Sequence, residues 1–147
     1  MNWTEEIIKK LGTPYYASDS VILYNTDCIT ALGNLQIDLF NLVLTSPPYN
    51  IGKEYEKVMP IDDYINWSKL WLKNIPKVLK ANGAFWYNLG YIQYKESAHA
   101  LPLSYLLWDK VNMYLMQEIV WNYGAGVACK KTLSPRNEKW INSVFTL

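Results

Sequence analysis

Residues 38–50 read Asp-Leu-Phe-Asn-Leu-Val-Leu-Thr-Ser-Pro-Pro-Tyr-Asn. The first seven form a nearly unbroken apolar run of strand length. A continuous run, unlike an alternating one, marks a strand covered on both faces, as in parallel sheets layered with helices. The run stops at Pro47-Pro48, because proline has no N–H for a ladder and fixes its own φ. Upstream, Val21–Asn25 reads as a short strand, and Ile29, Leu32 and Leu35 mark a helix over 29–35. At the N-terminus, Trp3, Ile7, Ile8 and Leu11 predict an amphipathic helix ending near Gly12. Downstream, Tyr64, Trp67, Trp71, Ile75 and Val78 predict a helix from Asp62, kinked at Pro76 and closed by Ala81-Asn82-Gly83. Residues 84–90 then form a second buried strand. Leu103, Leu106, Leu107 and Val111 predict a helix over 97–111, and 115–122 and 138–147 read as strands. Alternating strands and helices make the fold α/β with a mostly parallel sheet. In such sheets chemistry lies beyond the carboxyl ends of the strands. Three segments fall there: Thr26-Asp27-Cys28, Ser46 to Asn50, and Asn88-Leu89-Gly90.

The chain has 147 residues, the size of one domain, and no repeat or linker divides it. Hydrophobic residues at 50% against 18% charged exclude a disordered chain. Fourteen Lys+Arg against 13 Asp+Glu leave a net charge of +1, so no global field draws the protein to a polyanion. Any such contact needs a local patch. One stands at 129–140, where Lys130, Lys131, Arg136 and Lys139 outnumber Glu138. The alternative for that segment is a solvated basic loop. No stretch approaches the ~20 apolar residues of a membrane span. The start, MNWTEEIIKKLG, has no apolar core of a signal peptide, and with two cysteines, Cys28 and Cys129, the expected compartment is the cytoplasm. One histidine, His99, and two distant cysteines cannot assemble a zinc site, so no metal is expected. Aromatic content of 15% fits either a ring-rich core or a surface that stacks on bases.

Ser46-Pro47-Pro48-Tyr49 is the stretch with the most chemistry. Two prolines make a stiff corner whose carbonyls point in set directions, with a hydroxyl on one side and a ring on the other. Rigid acceptors beside a ring suit a planar group bearing an NH₂. Such an amine is a poor nucleophile because its lone pair is delocalised. Acceptors that bind both N–H bonds favour a pyramidal nitrogen and localise the pair. The alkylated product is a strongly acidic cation, so no strong base is required. Fixed dipoles here stabilise developing positive charge, the mirror image of an oxyanion hole. A bare Pro-Pro-Tyr is also compatible with a proline-terminated strand, whereas a ligand of an aromatic groove needs one residue between the prolines and the tyrosine, and here there is none.

The surrounding chain narrows this choice. Residues 38–56 (DLFNLVLTSPPYNIGKEYE) resemble the catalytic motif of the amino-methylating DNA methyltransferases. Asn25-Thr26-Asp27-Cys28 resembles the segment that family carries just upstream. Residues 77–90 resemble its helix–Gly–strand element, and 118–140 its later strand and loop. The four elements occur in the order of the permuted (beta-type) subgroup of N4-cytosine/N6-adenine enzymes, with the cofactor half last. The resemblance implies a Rossmann-like methyltransferase sandwich that is incomplete. Residues 1–147 would be the catalytic half, without the C-terminal glycine loop that approaches S-adenosylmethionine and without the target-recognition region. Tyr123-Gly124-Ala125-Gly126 is a lone G-x-G at the family's later strand-loop position and does not replace that loop.

By the same resemblance, methyl would pass from S-adenosylmethionine to the exocyclic amine of a base flipped out of double-stranded DNA. Ser46, Pro47, Pro48 and Tyr49 would be catalytic, the first two accepting from the amine and Tyr49 stacking on the base. Asp27 and the Cys28 backbone would hold the cofactor's adenine; Asp27 also suits a helix N-cap, and both roles can hold. Asn50, Lys130, Lys131 and Arg136 would meet nucleic acid. Ser46 after Thr45 resembles the cytosine-N4 type more than the adenine-N6 type. Rival readings are an incompetent fragment that needs a homodimer or complementing chain, and a methyltransferase of RNA or protein amides.

Overall fold

The computed structural model describes residues 3–94, 98–122 and 141–146, with the backbone alone at 98, 99, 122 and 141–146. Helix α1 (Trp3–Leu11) opens with Glu5 and Glu6 and closes with Lys9 and Lys10, each pair complementing the helix dipole at its own end. Gly12 follows at φ 78°, a left-handed stop where glycine carries no steric penalty. Strands β1 (Tyr16–Ala17) and β2 (Ile22–Leu23) pair only with each other, as a short antiparallel ribbon. The strand expected over 21–25 is therefore two residues long and lies outside the main sheet. Helix α2 (Cys28–Leu35) starts at Asp27, whose Oδ1 accepts from the Thr30 N–H at 2.9 Å. Ile7, Leu35 and Val78 bury together and tie α1 and α2 to the chain at Val78.

Strand β3 (Phe40–Thr45), helix α3 (Ile61–Leu72) and strand β4 (Leu79–Leu89) form the right half of the expected pattern. Pro76 ends the helical run instead of kinking it: residues 75–77 make a separate 3₁₀ turn with proline at its start. Ala81-Asn82-Gly83, expected to cap a helix, lies inside β4. Phe40 pairs with Leu79 and Leu42 with Ala84, so the extra residues of β4 loop out between them. Gly83 is needed there, because a Cβ would stand 3.0 Å from the Phe40 carbonyl oxygen.

Residues 98–111 depart from the expected helix. Ala98–Pro102 is strand β6, antiparallel to β5 (Tyr91–Tyr94), and only Ser104–Leu107 (α4) is helical. Proline at 102 cannot sit inside a helix, so helical spacing counts only beyond it. Leu103, Leu107 and Val111 are buried as the spacing required. Strands β7 (Gln117–Asn122) and β8 (Ile141–Thr146) complete a sheet of order β3-β4-β8-β7. The β3/β4 pairing is parallel; β8 runs antiparallel to both β4 and β7. That reversal at β8 was not legible in apolar runs, which carry no direction.

Helix α3 covers one face of β3–β4. Tyr64, Trp71 and Leu72 pack with Phe85, Tyr87 and Leu89, and Trp71 meets Tyr87 edge-on at 5.5 Å. The register places Leu42 beside Ala84 and Leu44 beside Trp86 on the other face. There Leu42 is 50% and Leu44 67% exposed, so β3 is not the doubly covered strand its apolar run implied. Among the described residues no helix is long and apolar enough to cross a membrane.

Candidate active site

The parallel register of β3 and β4 builds the site. Thr45 pairs with Tyr87, so the chain leaves β3 with Ser46 abreast of Asn88. Prolines 47 and 48 then turn it away from the ladder. Ser46 is exposed at the carboxyl end of β3, and Tyr49 is half-buried. Their hydroxyls are 2.8 Å apart, which closes the corner on itself. Asn88 Nδ2 lies 3.5 Å from Ser46 Oγ, at the long limit of a hydrogen bond. The Tyr49 ring rests on Gly90, where a Cβ would stand 2.7 Å from Tyr49 Cδ2.

The corner is also held from behind. Tyr64 on α3 is 1% exposed, and its hydroxyl donates to the Pro48 carbonyl at 2.6 Å. Burial pushes this phenol above its ordinary value, with the charge of Glu56 and the neighbouring Tyr49 adding to it. Tyr64 therefore stays a protonated donor. It occupies the second proline's carbonyl and not the first's.

Beyond Tyr49 the loop is closed by its own side chains. Asn50 adopts φ 63°, and its carboxamide both donates to the Met59 carbonyl at 2.9 Å and accepts from the Met59 N–H at 2.7 Å. Glu56 accepts from the N–H groups of Asn50, Ile51 and Lys53 at 2.9, 3.0 and 2.9 Å. Partial burial disfavours the Glu56 charge, yet the backbone donors of Lys53, Ile51, Asn50 and Gly52 outweigh it and hold the carboxyl below its ordinary value. A depressed folded-state value means that this carboxylate stabilises the loop above the ordinary glutamate range. The stabilisation disappears as pH falls through the lowered value. Acidification is thus expected to release residues 50–53, read as a shift of their amide NMR signals. Glu56→Gln should show the released pattern at neutral pH; an unchanged loop in that variant would contradict the assignment.

At the other expected position, Asp27 Oδ1 caps α2, accepting from Thr30 N and from Thr30 Oγ1 at 3.1 Å. Oδ2 takes no part in the cap. A cleft of about 500 Å³ is lined by Tyr24, Asn25, Thr26 and Thr30 among others, but by neither Asp27 nor Cys28. Cys28 is exposed, and its thiol is pushed up by partial burial and by the Asp27 charge, so it is a poor nucleophile. Thr26-Asp27-Cys28 follows the β1/β2 ribbon and not a strand of the main sheet. Cys129, Lys130, Lys131 and Arg136 lie outside the described residues, as does Tyr123-Gly124-Ala125-Gly126.

Glu56 and Tyr64, which frame the corner, escaped sequence reasoning as functional positions, and Asn88 and Gly90 were placed at a strand end without a role assigned to either. That place was their signal. Tyr64 was indistinguishable from its apolar neighbours on α3.

Comparison with known proteins bears on this geometry. Residues 40–142 match a family model described as DNA methylase. The Type II methyltransferase M.ScaI of Streptomyces caespitosus is 49% identical over 136 residues, which is 92% of this chain and 45% of that protein. M.HpaI of Haemophilus parainfluenzae is 30% identical over 118 residues, 77% of this chain and 35% of that protein. A solved structure of the PvuII DNA methyltransferase (cytosine-N4-specific) superimposes with a TM-score of 0.64 over 84% of this chain and 47% of that one. At 21% identity, it supports the fold alone. The chain spans less than half the length of each.

Proposed function

This chain belongs to the DNA methylase family, and on that premise we propose that it is the catalytic half of a methyltransferase acting on an exocyclic amine of DNA, cytosine N4 in the first place. The observation that carries the reading is the corner itself. Ser46 Oγ is exposed at the end of β3, hydrogen-bonded to Tyr49 and next to a proline carbonyl that Tyr64 does not occupy. Ser46 and the Pro47 carbonyl accept the two N–H bonds of a base flipped out of the duplex, and the nitrogen pyramidalises between them. Tyr64 keeps the diproline from turning, and the Tyr49 ring, seated on Gly90, offers its outer face to the base.

The methyl donor of this reading is S-adenosylmethionine, which supplies an electrophilic methyl group when bound. The residues around the start of α2 would take its adenine end: Asp27 keeps Oδ2 outside the helix cap, and its chain neighbours Asn25 and Thr26, with Thr30, line a cleft with room for a flat ring. Asn50 sits at the rim with the loop it clasps, and Lys130, Lys131 and Arg136 supply charge for the phosphates. The glycine loop for the rest of the cofactor and the region that reads DNA sequence belong to other sequence, in line with a span under half that of the relatives. The cell compartment of this reading is the cytoplasm. A second reading, favoured by the same span and by the open face at Leu42 and Leu44, is that the chain acts only with a complementing chain or in a dimer.

The test is transfer of labelled methyl from S-adenosylmethionine into unmethylated duplex DNA, followed by identification of the modified nucleoside. N4-methylcytosine is expected, and Ser46→Ala should slow its formation by about 10²-fold or more. N6-methyladenine would favour the adenine alternative. Label that appears only after addition of a relative's C-terminal half would support the second reading. Label confined to RNA or protein would overturn the proposal.

A further inference from the structure

We propose that Asn88 determines which bases the corner accepts: with Ser46 it reads an amino group beside an unprotonated ring nitrogen. The inference rests on the amine-transfer reading and names the edge that this site takes.

Thr45 pairs with Tyr87, so strand alternation puts Ser46 and Asn88 side by side on the sheet face that α3 does not cover. Their polar atoms, Ser46 Oγ and Asn88 Nδ2, are 3.5 Å apart. At that length the amide donor is held loosely and remains free for a better acceptor. Asn88 Oδ1 is shielded from solvent and has no hydrogen-bond partner. With Oδ1 enclosed and Nδ2 on the Ser46 side, the carboxamide presents its donor to the corner.

The chemistry of the bases supplies the match. In cytosine and adenine the amino nitrogen and a ring nitrogen with a lone pair are bonded to one carbon. Partners for the two must stand side by side, one an acceptor and the other a donor. Ser46 Oγ accepts from the amine, and Asn88 Nδ2 donates to the ring nitrogen. Thymine presents the reverse pattern, a carbonyl beside a ring N–H. That N–H would face the N–H of Asn88, donor against donor, and the base would be rejected. Sites built to hydrogen-bond a group discriminate strongly against ligands that leave their buried polar atoms unpaired.

The experiment is an NMR titration of the ¹⁵N-labelled chain with 1-methylcytosine and with 1-methylthymine. The side-chain NH₂ signals of Asn88 are expected to move with the first and not with the second. Asn88→Asp should weaken binding of 1-methylcytosine about 10-fold or more near neutral pH, because a carboxylate would face the ring nitrogen's lone pair. Binding should return as pH falls towards the carboxyl range, where either group can carry a proton between them. Asn88→Ala should weaken binding with no such recovery. An equal response to both pyrimidines, or the same pH-independent loss in both variants, overturns the inference. A chain that discriminates the two bases but methylates no DNA even with a relative's C-terminal half added overturns the proposed function instead and leaves the reading of Asn88 standing.

Discussion

Replacing Gly90 with alanine is expected to reduce methyl transfer by about 100-fold, the penalty typical of displacing a reacting group by ~1 Å. The new Cβ would stand 2.7 Å from Tyr49 Cδ2 and 3.2 Å from Cγ and Cε2, three atoms of a rigid ring. The ring must slide, and its hydroxyl is tethered 2.8 Å from Ser46 Oγ. The strain therefore reaches Ser46 Oγ, the acceptor of the amine in the proposed reaction. Gly90 is buried, and its carbonyl accepts from the Leu103 N–H at 3.0 Å, so β4 cannot simply back away. Overpacking of this kind also costs about 1–3 kcal/mol of stability. The informative comparison is a double-mutant cycle. With Tyr49→Ala already in place, Gly90→Ala should have almost no further effect on stability, because the clashing ring is gone. Additive losses in urea denaturation would show that Gly90 does not act through Tyr49.

Phe85→Ala carries the largest expected loss of stability, about 3–5 kcal/mol. Phe85 is completely buried, stacks on Tyr87 with ring centroids 5.2 Å apart and lies beside Val43 across the parallel pair. Against the 5–15 kcal/mol of an ordinary domain, such a loss leaves a population that unfolds readily. Leu44→Ala is the matching control. Leu44 is one position along the neighbouring strand but on the open face, 67% exposed, and its truncation should change stability by no more than about 0.5 kcal/mol. Urea midpoints of the two variants check the assignment of faces. A Leu44→Ala loss as large as that of Phe85→Ala would mean that another part of the molecule covers the β3 face.

The two sites in these predictions were visible in the sequence to different degrees. Ser46, Pro47, Pro48 and Tyr49 are consecutive, and the stiffness of the corner comes from proline rings, a local covalent property. Its residues were therefore legible before any folding was known. Asn88 and Gly90 reach the corner from more than forty residues away, through the pairing of Thr45 with Tyr87. Tyr64 arrives through a helix whose buried stripe reads equally well as core. The expected helix over 97–111 failed at Pro102, where strand pairing with β5 prevailed over spacing.

The amino-acid sequence by itself determined the succession of strand, diproline corner, helix and strand, the residues able to present an amine acceptor, and the absence of a global charge. These follow from hydrophobic period, proline geometry and composition, which act within a few residues. Only the tertiary structure decided which face of β3 is covered, that β8 runs against β4, and which side chains complete the corner. Those depend on register between distant strands, and a shift of one residue would turn Asn88 away from Ser46 to the opposite face.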